Sequence, residues 1–158
     1  MTGNLTVFTD ASFCPNTHVA GGAFWAVYGD HMVFKGCFPM RDVATSSEAE
    51  LRTSIHAVGN TLRNADVKAW VQTLTDLRII LVVDALSTKQ ELERPGGPVH
   101  PLASRFMDYV RRHCIDLRIN HVKGHTCGQE GRDYVNRWCD RNSRQTMREA
   151  RKSPQVAM

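Results

Sequence analysis

The chain has 158 residues, 42% apolar and 23% charged, a size and composition that suit one soluble globular domain with a genuine core. No apolar run approaches the ~20 residues of a membrane span, and the start, Met1-Thr-Gly-Asn-Leu5, has neither the basic nor the apolar region of a secretory signal. Five cysteines, odd in number and without a C-x-x-C, fit free thiols in a reducing cytosol better than a disulfide framework, so a cytoplasmic protein is expected.

Residues 4–13 alternate as a strand, with Leu5, Val7 and Thr9 on one face and Thr6, Phe8 and Asp10 on the other. Cys14-Pro-Asn-Thr17 is a turn signal. Gly21 to Tyr28 is a second strand, and Gly29-Asp-His31 turns tightly into a third, Met32 to Phe38. Together these predict an antiparallel meander. Thr45 to Arg63 carries a helical apolar stripe of Leu51, Ile55, Val58 and Leu62. Residues 64–76 stay open between a loop and a helical turn around Trp70. The unbroken apolar run Leu77 to Val83 marks a strand covered on both faces. Residues 86–92 form a short helix broken by Arg94-Pro-Gly-Gly-Pro98, Leu102 to His113 is helical by period, and Leu117 to Val122 alternates as a strand. A basic helix from about Gly131 to Lys152 closes the chain, frayed from about residue 150.

This order predicts an α/β fold: a five-stranded mixed sheet, its first three strands antiparallel and its fourth and fifth parallel, flanked by helices. A single domain spans 1–158, without repeats or a dividing linker.

Four acidic residues stand where a carboxylate is out of place. Asp10 ends the stretch Leu5-Thr-Val-Phe-Thr9, and Asp84 ends the run Ile79-Ile-Leu-Val-Val83. Glu50 and Asp140 sit at or near the starts of two predicted helices. Carboxylates at the ends of buried strands are costly unless a proton or a metal neutralises them. Several converging on one point make a site for hard divalent cations, with oxygen ligands only. With those four acids tied to metal, twenty basic residues face twelve acidic ones, a surface of +8 against a net +4 for the whole chain. Such a surface suits a polyanionic partner. Zinc is a lesser option: Cys14 and His18, or His121, His125 and Cys127, are close in sequence, but no paired-ligand spacing recurs.

Five segments, in this order, resemble the motifs of type 1 ribonuclease H over nearly the whole chain: Phe8-Thr-Asp10-Ala-Ser12, Thr45-Ser-Ser-Glu-Ala-Glu50-Leu51, Val82-Val-Asp84, His121-Val-Lys-Gly-His125 and Asn136-Arg-Trp-Cys-Asp140-Arg141. The resemblance implies a ribonuclease H-like fold and hydrolysis of the RNA strand of RNA/DNA hybrids, giving 5′-phosphate and 3′-hydroxyl ends. It implies two Mg²⁺ ions, with Mn²⁺ a possible substitute, ~3.5–4 Å apart, one activating water and one neutralising the leaving oxygen. Asp10 would bridge both ions, Glu50 and Asp84 would hold the leaving-group metal, and Asp140 the water-activating one. His125 would assist proton transfer or product departure.

Two of these positions have a rival. An ideal helical wheel puts Glu48 nearer the apolar stripe, whereas the family register, with Leu51 directly after the acid, points to Glu50. Thr45 and Glu48, or Ser47 and Glu50, have capping-box spacing. Asp140 has Asn136 four residues before it, as the motif requires, but Asp133 is nearer His125 at a spacing more usual in the family. An ordinary i,i+4 ion pair, Asp140 with Arg144 or Asp133 with Arg137, is the plain alternative for either acid.

Substrate contacts are expected from Ser12, Asn16, Ser46, Ser47 and Lys123. Hybrid duplexes display 2′-hydroxyls in a wide, shallow minor groove. Ser46 and Ser47 stand where the family carries asparagine or glutamine, with shorter reach. The family's lysine-rich protrusion is replaced by Glu93-Arg-Pro-Gly-Gly-Pro-Val-His100. Grip must then come from Lys89, Arg105, Arg111, Arg112 and Lys123, with modest, salt-sensitive binding. Trp25, Trp70 and Trp138 are read as packing rather than stacking platforms. The expected partner is a hybrid duplex, met by a monomer with no obligate protein partner and no membrane. The alternatives are a structure-specific DNA nuclease or resolvase on the same fold, and a non-catalytic nucleic-acid-binding domain.

Overall fold

The computed structural model describes residues 1–122 and 130–153, the side chains of 130–133 excepted. Lys123, His125, Cys127 and the side chain of Asp133 lie outside the described residues.

Alternation and β-branched residues build the sheet. Its strands β1 (Thr2–Cys14), β2 (Val19–Tyr28) and β3 (Met32–Met40) form the antiparallel meander. On the other side of β1, β4 (Asp76–Val83) and β5 (Asp116–His121) run parallel to it, in the order β3-β2-β1-β4-β5. Parallel neighbours need crossovers, which the helices supply. These are α1 (Ser46–Arg63), α2 (Ala65–Gln72), α3 (Leu86–Leu92), α4 (Pro101–Arg112) and α5 (Glu130–Lys152). The α3–α4 connection turns through Gly96 and Gly97, at φ +84° and +102°, a conformation that side chains resist.

Opposite faces of the sheet take different helices. A Cβ on Gly22 would meet Thr53 of α1, whereas one on its neighbour Gly21 would meet the backbone of Ser143 and Met147 of α5. The main core lies on the α1 face, where Leu5, Val7, Phe24, Ile79, Leu81 and Val83 pack with Leu51, Ile55 and Val58. This is the stripe that the periodicity of α1 predicts. On the other face of β4, Val82 is buried and Ile80 half-buried.

Two elements differ from expectation. Residues 65–72 form a full helix because the Asn64 side chain caps it, accepting from the N–H groups of Asp66 and Val67 at 3.0 and 3.1 Å. Strand β1 runs past Asp10 to Cys14 because β2 pairs with it to that point, while its ladder with β4 stops at Phe8 opposite Val82. Asp10 therefore sits not at a strand end but where β1 loses one of its two neighbours.

Candidate metal centre

That parting of strands makes the site. Two residues beyond Phe8 and Val82, the same parallel register sets Asp10 opposite Asp84, which directly follows β4. Here the ladder has ended and the cleft opens. Asp84 is exposed, and its carbonyl lies 3.0 Å from Nε2 of His121 at the end of β5. The third acid comes from α1. Thr45 caps that helix, its hydroxyl accepting from the Glu48 N–H at 3.1 Å, so Glu50 is not engaged as a capping group. Oxygens of the Asp10, Glu50 and Asp84 carboxylates all lie within 4.8 Å of one another.

Glu48 points elsewhere. It meets Arg52 at 3.4 Å and lies 3.9 Å from His100, in a neighbouring cleft with Ser47, Gln90 and Arg94. The wheel favoured Glu48 because it ranks positions by closeness to the core. A site at the rim of the sheet takes the residue on the flank.

Asp140 of α5 lines the same cleft of about 280 Å³ as Asp10, Glu50 and Asp84, and Asn136 and Cys139 lie in its wall. Arg144 lies there too, its Nε 3.1 Å from Asp140 Oδ1, the i,i+4 pair foreseen as the plain alternative. Both descriptions of Asp140 therefore hold together: it is ion-paired and it faces the cleft.

Two hydroxyl relays tie the helices to β1 on either side of Asp10. The buried Ser54 hydroxyl donates to the Glu50 carbonyl at 3.0 Å, so its oxygen accepts from Thr9 at 3.2 Å. On the opposite face the buried Ser143 hydroxyl donates to the Asp140 carbonyl at 3.0 Å and accepts from Ser12 at 3.1 Å. Thr9 and Ser12 thus each fix one acid-bearing helix turn against the strand that carries Asp10. Ser12, expected to touch substrate, has its hydroxyl engaged within the fold. The relays were invisible in the sequence, since each joins residues 45 or 131 positions apart.

Burial and the charges of Asp84 and Asp140 push Asp10 up to about 7, against the opposing pull of the Ala11 N–H and Arg144. Burial, Asp84 and Asp10 push Glu50 up to about 9. Carboxylates so close cannot all ionise without a positive partner. Either protons are shared or a cation sits among them. Burial and the charges of Asp10 and Asp84 push the Cys139 thiol up to about 12, so it is protonated in the metal-free cleft. An all-oxygen donor set of three crowded carboxylates, with room for water, fits a hard divalent ion such as Mg²⁺.

Among the expected substrate contacts, Asn16, Ser46 and Ser47 are exposed. The expected basic grip is uneven. Lys89 is turned inward, donating to the Ile119 carbonyl at 2.8 Å and pairing with Glu93 at 3.2 Å. Arg111 pairs with Asp108, whereas Arg105 and Arg112 are exposed. Trp25 and Trp138 pack edge to face, ring centroids 5.5 Å apart, with Lys35 above Trp25 at 4.5 Å, and Trp70 packs on Tyr28. All three tryptophans serve packing. No helix among the described residues is long and apolar enough to cross a membrane.

Comparison with protein-family models finds no matching family, and comparison with curated proteins finds no match.

Proposed function

We propose that the protein is a metal-dependent endonuclease that hydrolyses the RNA strand of RNA/DNA hybrids, leaving 5′-phosphate and 3′-hydroxyl ends. The observation that carries this is the convergence of Asp10, Glu50 and Asp84, from three separate elements, within 4.8 Å. Mg²⁺ ions, or Mn²⁺ in their place, supply an activated water and neutralise the leaving oxygen when bound. The chain's own part is to hold them. Asp10, Glu50 and Asp84 would hold one cation, and Asp140, which lines the same cleft, would hold a second together with Asp10. The five motif segments favour a hybrid over other polyanions, and the exposed Ser46 and Ser47 at the start of α1 are proposed to meet the 2′-hydroxyls. Proton transfer is assigned to His125, and substrate grip to Asn16 and Lys123. The protein is proposed to act as a monomer.

The test is incubation with a hybrid labelled on its RNA strand, beside matched DNA and RNA duplexes and a four-way DNA junction, in Mg²⁺ and in chelator. Metal-dependent cutting confined to hybrid RNA supports the proposal. Cutting of the junction alone supports a resolvase. Hybrid binding without any cutting supports a non-catalytic domain.

A further inference from the structure

One cation already stands in the acidic cleft, and it belongs to the chain. Arg144 lies one helical turn beyond Asp140, with its Nε 3.1 Å from Asp140 Oδ1. The two side chains are 53% and 29% exposed, so the pair faces the cleft rather than the core. Its charge reaches further, since Arg144 is the positive group that opposes the rise of Asp10. Among the described residues the mutually close carboxylates are Asp10, Glu50 and Asp84, and Asp140 is not one of them. The cleft thus holds one grouped set of three acids and a fourth acid already ion-paired.

Resting on the metal-dependent reading above, we infer that Arg144 withholds Asp140 from a divalent ion in the free protein, so that cations load in two steps. The first ion meets the grouped carboxylates of Asp10, Glu50 and Asp84. A second ion at Asp140 must displace a guanidinium and stand beside a like charge, which opposes it at short range. A guanidinium carries five donors in a planar fork, and phosphate is an anion whose geometry suits that fork. A substrate phosphate entering the cleft therefore draws Arg144 away and frees Asp140 as it arrives. Arg144 is a positioning residue here: it acts through Asp140 and sets when the second ion binds.

Mn²⁺ titration by calorimetry, without nucleic acid, separates the possibilities. Wild-type protein is expected to take up one ion tightly and a second only weakly. Arg144→Met, which keeps an unbranched apolar stem but removes the charge, is expected to tighten the second ion about tenfold, as loss of a neighbouring like charge predicts. Arg148→Met, an exposed position one turn further along α5, removes the same net charge and is expected to leave both ions unchanged. Adding a 2′-O-methyl RNA/DNA hybrid is expected to tighten the second ion on wild type, and to do so far less on Arg144→Met. Equal second-ion affinity in wild type and Arg144→Met overturns the inference, as does an equal gain in Arg148→Met. If wild type takes up no ion at all, and Asp10→Asn does not differ from it, the metal-dependent reading itself falls, and this inference falls with it.

Discussion

The hydroxyls of Thr9 and Ser54 meet 3.2 Å apart between β1 and α1, each beside an acid of the cleft. Thr9 precedes Asp10 in the strand, and Ser54 donates to the carbonyl of Glu50 one turn earlier. Because the Ser54 proton is committed to Glu50, Thr9 is the donor between them. Ser54→Ala should leave the buried Thr9 hydroxyl without its acceptor, at a cost of about 1–3 kcal/mol in urea denaturation. Thr9→Val in the same background should add little, because the two residues share one interaction. Strict additivity of the two single effects would show that the relay does not couple them.

Gly21 bears on stability and site together. A Cβ there would lie 2.6 Å from the Met147 N and closer still to the Ser143 carbonyl, both backbone atoms that cannot swing aside. Gly21→Ala should therefore push α5 off β2, lowering stability by about 1–3 kcal/mol or more. Asp140 rides on α5, so cation binding should weaken as well. Gly59→Ala is the control, since its nearest neighbour is the flexible end of Arg63 at 3.3 Å. It should cost far less in a thermal melt.

Glu48 and Glu50 lie two residues apart yet face different clefts. Glu50→Gln should reduce metal-dependent cleavage by more than the ~10–100-fold typical of changes outside the ligand shell. Glu48→Gln should leave cleavage within a few-fold and weaken only the contacts to Arg52 and His100, both outside the acidic cleft. Cleavage rates at saturating Mg²⁺ decide between the two, and the opposite pattern would move the site to Glu48.

The acids also give the metal-free protein a pH signature. Asp10 rises from 3.8 to about 7 and Glu50 from 4.5 to about 9 in the folded state. Both folded values lie above the unfolded ones, so the folded protein binds these protons more tightly. Their stabilising contribution is complete below about pH 4 and is lost as pH climbs through 7 and then 9. In chelator, the melting temperature should fall between pH 5 and pH 9, and it should fall much less in an Asp10→Asn, Glu50→Gln double variant. Mg²⁺ should restore more stability at pH 8 than at pH 5, because at low pH it competes with protons. A melting temperature that rises with pH in wild type but not in the double variant would contradict this.

Much of the frame was legible in the chain itself. Ile79 to Val83 spelled out an inner strand whose Ile79, Leu81 and Val83 enter the core, and Leu51, Ile55 and Val58 spelled out the face of α1 that meets it. Asp10 and Asp84 stood out because a carboxylate beside such residues has few other uses. The remainder depended on distance in space. Whether Glu48 or Glu50 joins the cleft is decided by how α1 lies across β1, which the Thr9–Ser54 contact fixes and no helical wheel contains. Helix α2 stayed open between a loop and a turn around Trp70 because two turns carry little periodicity, though Asn64 two residues before Asp66 was a usable cap signal. Arg144 was visible only as a partner for Asp140, since its effect on Asp10 depends on how α5 lies against β1.

The most direct test of the central claim is the rate of RNA-strand cleavage in a labelled RNA/DNA hybrid by wild type and by Asp10→Asn, with Mg²⁺ and with chelator, alongside hybrid binding by both proteins. Asp10 is grouped with Glu50 and Asp84 and also feels the charge of Asp140, so it is the acid proposed to hold both ions. The expected result is cleavage by wild type in Mg²⁺ alone and none by Asp10→Asn, although that variant still binds the hybrid. Cleavage that persists in chelator, or that Asp10→Asn carries out at the wild-type rate, would contradict a metal-dependent nuclease built on these carboxylates.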